Sequence, residues 1–183
     1  MVNESLALGH IRVLDLGGPI AQFCSRLLGD FGADVIKIEP PDGDPARYRD
    51  PYADSHPDPE RSLYFINHNH NKRSVVISLE TQEGQAQLRH LVRTSDILIE
   101  GFAPGYLDQL GLGYKELSIE NESLVYASIA PYGRSGPYTD FQATELTVQA
   151  MTAVNYIHGD DQAAPCLVPS EQVVQVSCYH ALF

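Results

Sequence analysis

Apolar residues along the chain fall into short continuous runs separated by stretches with helical spacing. Residues 11–16 (IRVLDL) form a β-rich run that ends at Gly17-Gly18-Pro19. Beyond it, Ile20, Phe23, Leu27, Leu28 and Phe31 lie near one helical face, and Gly32 stops the pattern. Residues 34–39 (DVIKIE) are a second apolar run, closed by Pro40-Pro41. Strand, glycine turn, helix and strand in immediate succession predict a βαβ unit, with parallel strands and a right-handed crossover.

The alternation continues. Residues 74–79, 96–100 and 124–129 predict three further strands. Residues 81–93 predict a helix that Thr81 can cap, with Leu88 and Leu91 in its apolar stripe. Residues 104–110 predict a short helix with Pro104 at its start and Gly111 past its end, and residues 114–119 another turn of helix. Residues 133–138 (GRSGPY) read as a turn, and 145–156 and 172–183 as helices. Residues 40–62, rich in Pro, Asp and Tyr with no apolar period, predict a long surface loop. The sum is an α/β fold with a Rossmann-like, doubly wound, mainly parallel sheet, spanning residues 1–183 as one unit. The apolar stretch 173–183 has no C-cap after it, so a further segment or another chain is expected to cover it.

Composition narrows the partners. Hydrophobic residues make up 43% and charged residues 20%, as in an ordinary globular protein. A net charge of −12 disfavours nucleic acid and anionic membrane, both of which need a positive field. No apolar run approaches the ~20 residues that span a bilayer. Cys24, Cys166 and Cys178 show no CxxC or Cys/His metal spacing, and residues 1–10 lack a basic start followed by an apolar run. The expectation is a cytoplasmic protein with free thiols and no metal.

Three constellations could carry chemistry. Gly17-Gly18-Pro19 opens a helix, whose free N–H groups can hold a phosphate or a carbonyl; it is equally a plain strand–helix turn. Glu39, at the end of the second strand, stands where a dinucleotide-binding fold places its ribose-binding acid, although no GxGxxG precedes it and a solvated strand-end carboxylate reads as well. Asn69-His70-Asn71-Lys72-Arg73 could grip a phosphate chain, or be a solvated basic turn. His68 and His70 would share a face on an extended segment, but a metal site needs a third ligand and none is evident.

Five stretches taken in order resemble class III CoA-transferases, the CaiB/BaiF family with its formyl-CoA transferase-like members. They are IRVLDL (11–16), LLGDFGADVIKIEPPDGDPAR (27–47), NHNKRSVVISLETQEG (69–84), SDILIEGFAPGYLDQLGLGY (95–114) and LVYASIAPYGRSGPY (124–138). The resemblance implies the first part of a longer protein, whose second, smaller domain is not among these 183 residues, and two subunits interlocked as a dimer. It implies coenzyme A or acyl-CoA as substrate, a carboxylic acid as acceptor, and no NAD. Lys72, Arg73, Phe102 and Tyr132 match positions expected to contact CoA, through charge and through packing of adenine or pantetheine.

In such enzymes an aspartate attacks the acyl-CoA thioester, with amide donors on the developing oxyanion. Alignment on Pro165 places Val174 where that aspartate is expected; Glu171 is the nearest carboxylate, three residues away. Pro40 and Gln109 stand where some members carry arginine. Thr144 precedes Glu145 where the racemase branch has histidine, which disfavours racemisation. The expected function is CoA transfer by a degenerate or incomplete unit that needs another segment, a homodimer mate or a second CoA-transferase unit for catalysis. The alternatives are an active enzyme using Glu171, a non-catalytic acyl-CoA-binding remnant, and an NAD-dependent enzyme with Glu39 on the ribose.

Overall fold

The computed structural model describes residues 6–158, 160, 162–164 and 166–183. Five strands form one sheet in the order β3-β2-β1-β4-β5, and every pairing is parallel. They are β1 Arg12–Leu16, β2 Asp34–Glu39, β3 Arg73–Val76, β4 Ile97–Glu100 and β5 Val125–Ser128. The chain winds outward from β1 to β3, then returns to the far side of β1 for β4 and β5. The order therefore reverses between β1 and β4, and the carboxyl ends of those strands flank a crevice, the usual ligand position in such sheets.

Strand side chains alternate between two cores because successive residues point to opposite faces. Leu14, Leu16, Ile36, Ile38 and Leu98 pack with Leu88 and Val92 of α3 (Gln82–Val92) and with Leu117 of α5 (Tyr114–Glu120). Val13, Val35 and Ile99 pack on the other face with Ala21, Cys24 and Leu28 of α1 (Gly18–Asp30) and with Cys178 of α8 (Gln172–Ala181). The predicted doubly wound α/β fold is present. Each fully buried Leu or Ile contributes roughly 1.5–3 kcal/mol of transfer free energy.

Several elements differ from the sequence reading. β3 begins one residue early and ends at Val76, although the Ile77 amide still donates to the Glu39 carbonyl. Residues 40–62 run largely over the surface, as expected of a loop, but are anchored. They contain two 3-10 turns, Pro45–Tyr48 and Ala53–Ser55, and bury Asp44, Ala46 and Ser62. Ser62 accepts a hydrogen bond from the Phe65 amide and so caps α2 (Leu63–Asn69), a helix that the sequence pattern does not announce. The expected helix over 145–156 is broken into α6 (Glu145–Met151) and α7 (Val154–Ile157), because Ala153 between them adopts a left-handed φ of 61°. The expected short helix over 104–110 is reduced to α4 (Tyr106–Gln109). Among the described residues, no helix is long and apolar enough to cross a membrane.

One close approach sets the crevice. A Cβ on Gly101, just after β4, would lie 2.3 Å from the Gly17 carbonyl oxygen, so the turn after β1 and the end of β4 meet backbone against backbone. Gly101→Ala is expected to cost about 1–3 kcal/mol through this overlap, read as a lowered urea midpoint with an unchanged slope. A midpoint equal to that of the unmodified protein would show that the contact is looser than described.

Candidate functional site

The turn after β1 is held from below by charge. Asp15 is fully buried on the α1 face of the sheet, and its Oδ1 accepts the Gly17 amide at 2.8 Å. Its Oδ2 receives the Lys72 ammonium at 2.7 Å and lies 3.8 Å from the Lys37 ammonium. Lys37 is in turn 2.6 Å from Asp44. Burial alone would raise the Asp15 pKa; Lys72, Lys37 and the Gly17 amide outweigh it and hold the carboxyl well below the usual range. Burial and the neighbouring Lys37 pull the Lys72 ammonium down despite Asp15.

This layer relocates two of the four expected CoA contacts. Lys72 is buried, and its ammonium donates to Asp15, the Gln22 carbonyl and the Asn69 amide oxygen at 2.7–2.8 Å, which uses its three protons. It faces the interior of the fold. Arg73 is largely exposed and makes a forked pair with Asp34 at the amino end of β2, the edge of the sheet away from the crevice. His68 and His70 do not share an exposed face: α2 buries His68, with its Nδ1 2.8 Å from the Tyr64 carbonyl oxygen, and leaves His70 outside near Asp30.

Glu39 is closed off. Its carboxylate takes a two-pronged bond from Arg47 at 2.6 and 2.8 Å, the Asp44 amide at 3.0 Å and the Ser74 hydroxyl. Desolvation pushes its pKa up, but Arg47, Ser74 and the Asp44 amide bring it down to about 2. Buried at 2% exposure with both oxygens engaged, it has no free edge for a ribose. Arg47 joins residues 40–62 to the sheet, which is why that segment packs.

Phe102 and Tyr132 face a common cavity. Both line a cavity of about 420 Å³ at the carboxyl ends of β4 and β5, together with Ile20, Pro104 and Phe141. Glu100 positions Phe102 by accepting its amide at 2.8 Å, and Arg134 fastens the 133–138 turn to Glu100 and to Asp108. Tyr132 donates to the Thr147 hydroxyl at 3.2 Å. A second cavity of about 250 Å³ adjoins the first, with Ile20, Ala130 and Pro131 shared between them. Its walls include Glu145, Glu171 and Val174.

Val174 and Glu171 therefore line one space, although Pro165, on which the placement of Val174 rested, lies outside the described residues. Val174 is a packed aliphatic side chain on α8. Glu171 precedes α8 in a left-handed conformation, and Arg49 and Tyr64 bind its carboxylate at 2.6 and 2.8 Å. Sequence reasoning missed Asp15, Arg49 and Tyr64. For Asp15 a signal was available: an acid inside an otherwise apolar strand needs a buried partner. Among the described residues, no group of three or more His, Cys, Asp or Glu could hold a metal ion.

Comparison with known proteins finds relatives of this chain. A family profile described as CoA-transferase family III matches residues 8–183. The chain is 36% identical over 168 residues to the succinyl-CoA:(R)-benzylsuccinate CoA-transferase subunit BbsE of Thauera aromatica, covering 92% of this chain and 41% of that one. It is 44% identical over 152 residues to the formyl-CoA:oxalate CoA-transferase of Streptomyces avermitilis, covering 79% and 34%. A solved CaiB/BaiF family protein from Brucella suis superposes with a TM-score of 0.83 at 30% identity, over 97% of this chain and 49% of the other. The chain thus spans about two-fifths or less of the length of these curated relatives and about half of that solved structure.

The Glu39 clasp has a pH signature. A carboxyl depressed from 4.5 to about 2 on folding contributes stability that is complete above pH 4.5 and is lost as pH falls towards 2. Urea unfolding across that window is expected to show Glu39→Gln less stable than the unmodified protein at pH 6, with a flatter fall below pH 4.5. Parallel curves for the two proteins would contradict the clasp.

Proposed function

This chain belongs to CoA-transferase family III, and on that premise we propose that it forms the nucleotide-binding part of an enzyme moving CoA between an acyl-CoA and a carboxylic acid. The observation carrying this reading is the cavity at the carboxyl ends of β4 and β5, beside the β1–β4 reversal, where Phe102 and Tyr132 converge. Aromatic walls suit the adenine or pantetheine of CoA, and the amides opening α1 can receive a carbonyl or phosphate oxygen. Of the four expected contacts, Phe102 and Tyr132 touch the ligand in this reading. Lys72 acts indirectly, by fixing Asp15 and the glycine turn, and Arg73 stays at the opposite edge.

Transfer needs a carboxylate that attacks the thioester carbonyl and expels the CoA thiolate. Val174 cannot supply one. The reading therefore takes the nucleophile from another segment or chain, a second copy or a paired CoA-transferase unit. Two observations support it. Related proteins carry subunit names, including the beta and alpha subunits of succinyl-CoA–L-malate CoA-transferase from Chloroflexus aurantiacus. Tyr156, Ile157, Val176 and Tyr179 also leave apolar surface on α7 and α8 exposed. A second reading, with Glu171 as the nucleophile, is favoured by its place in the same cavity as Val174. Its engagement by Arg49 and Tyr64 weighs against it, because hydrogen bonds to a carboxylate lower its nucleophilicity. The ribose-binding role for Glu39 loses its physical basis, since that carboxylate is fully enclosed.

Ligand-dependent melting separates these readings. CoA and acetyl-CoA are expected to raise the melting temperature while NAD does not; a ligand at ~100 times its Kd adds ~2.7 kcal/mol. Phe102→Ala and Tyr132→Ala are each expected to weaken CoA binding by about 5- to 30-fold, the loss of ~1–2 kcal/mol of buried ring contact. Stabilisation by NAD and not by CoA would overturn the proposal.

A further inference from the structure

Glu171 and the residue before it, Ser170, both hold left-handed φ angles, 52° and 72°, although neither is glycine. Such positions persist only where surrounding contacts over-determine them. Here the contacts converge on the Glu171 carboxylate. Arg49 Nη2 donates to one oxygen at 2.6 Å and the Tyr64 hydroxyl to the other at 2.8 Å. The Arg49 guanidinium lies over the Tyr64 ring, its Cζ 3.8 Å from the centroid, and the ring packs against His68 at 4.4 Å with the two planes tilted by 35°. A planar cation and a hydroxyl, both held by these ring contacts, are the donors that recognise a carboxylate at two points. Gln22, on the adjoining face of α1, is fully buried, and its Nε2 is a donor with no hydrogen-bond partner among the described residues.

The charge of the neighbouring cavity gives this grip a use. Glu145 and Glu171 are the ionisable side chains lining that cavity. An acid entering it with Glu171 in place meets two carboxylates and no cation. If Glu171 swings out, the same acid meets Arg49 and Tyr64 instead. Arg49 and Glu171 keep side-chain exposures of 41% and 33%, so the pair can open without unpacking the core.

We propose that Arg49 and Tyr64 form a carboxylate-binding subsite, occupied by the chain's own Glu171 until the distal carboxylate of a dicarboxylic acid displaces it. The assignment rests on the CoA-transfer reading and narrows it. One carboxyl group of the acid exchanges CoA, and the other is held at Arg49. A monocarboxylic acid of the same length that seats its one carboxyl group at Arg49 leaves none to exchange CoA, and one that presents it for exchange gains nothing from the subsite. Glu171 then serves as an internal stand-in for substrate.

Calorimetric titration with succinate and with butyrate, which matches it in length and lacks the second carboxylate, tests this directly. The unmodified protein is expected to bind succinate at least about tenfold more tightly than butyrate. Glu171→Ala removes the internal competitor and is expected to tighten succinate binding by on the order of tenfold, and butyrate binding by less. Glu171→Gln, which keeps the size of the side chain, shifts binding in the same direction by less. Arg49→Met is expected to reduce succinate binding to the level of butyrate. Equal affinities for the two acids in the unmodified protein and in Glu171→Ala would overturn the subsite. CoA titrated into the same samples separates the two levels: loss of CoA binding with acid discrimination intact contradicts the CoA-transfer reading, and intact CoA binding without discrimination contradicts the subsite alone.

Discussion

Asp15 lies wholly inside the protein and stays charged there because Lys72 and Lys37 close around it. Taking a carboxylate and an ammonium out of water costs several kcal/mol per ion, so a buried pair adds little net stability, whereas removing one partner strands a charge and is strongly destabilising. Its effect is geometric. The free oxygen of Asp15 receives the Gly17 amide, which orients the turn that opens α1. That turn then lies against Gly101 at the end of β4. The crevice where the strand order reverses takes its shape from these contacts. One acid in the middle of an apolar strand thus links the core of the sheet to the edge where the proposed ligand site lies.

The sheet was legible because its strands are written as short apolar runs, as buried parallel strands such as β1, β2 and β4 require, and all five runs became strands, the exposed β3 and half-exposed β5 included. What the sequence concealed depends on contacts between distant residues. Lys72 reads as a surface cation beside Arg73, but it reaches across 57 positions to Asp15, and charge alone does not say which way a side chain points. Residues 40–62 have a loop's composition and are nevertheless anchored, because Arg47 returns to Glu39. Helix α2 hides in SLYFINHN, where the apolar residues are consecutive and only the Ser62 cap marks a start. Within the site, Phe102 and Tyr132 came from resemblance alone. Arg49 and Tyr64 gave no signal, since their meaning arises only when Glu171, more than a hundred residues later, folds back on them.

The proposed division of labour follows from what each part of the chain can and cannot supply. The sheet offers amides, aromatic walls and two adjoining cavities. At position 174 it offers an aliphatic side chain, and at 171 a carboxylate already engaged by an arginine and a tyrosine. Binding of an acyl-CoA and selection of an acid fit these parts; attack on a thioester does not. A partner that brings a carboxylate to the cavity shared by Ile20 and Pro131 would complete the set, and the exposed apolar side chains of α7 and α8 give it a surface on which to pack.

Intact-mass measurement of the purified protein after incubation with succinyl-CoA, with and without hydroxylamine, tests that division most directly. The account predicts a chain of unchanged mass, with neither a succinyl nor a CoA adduct. A covalent adduct on the chain alone, discharged by hydroxylamine and absent from Glu171→Gln, would contradict it and make Glu171 the nucleophile.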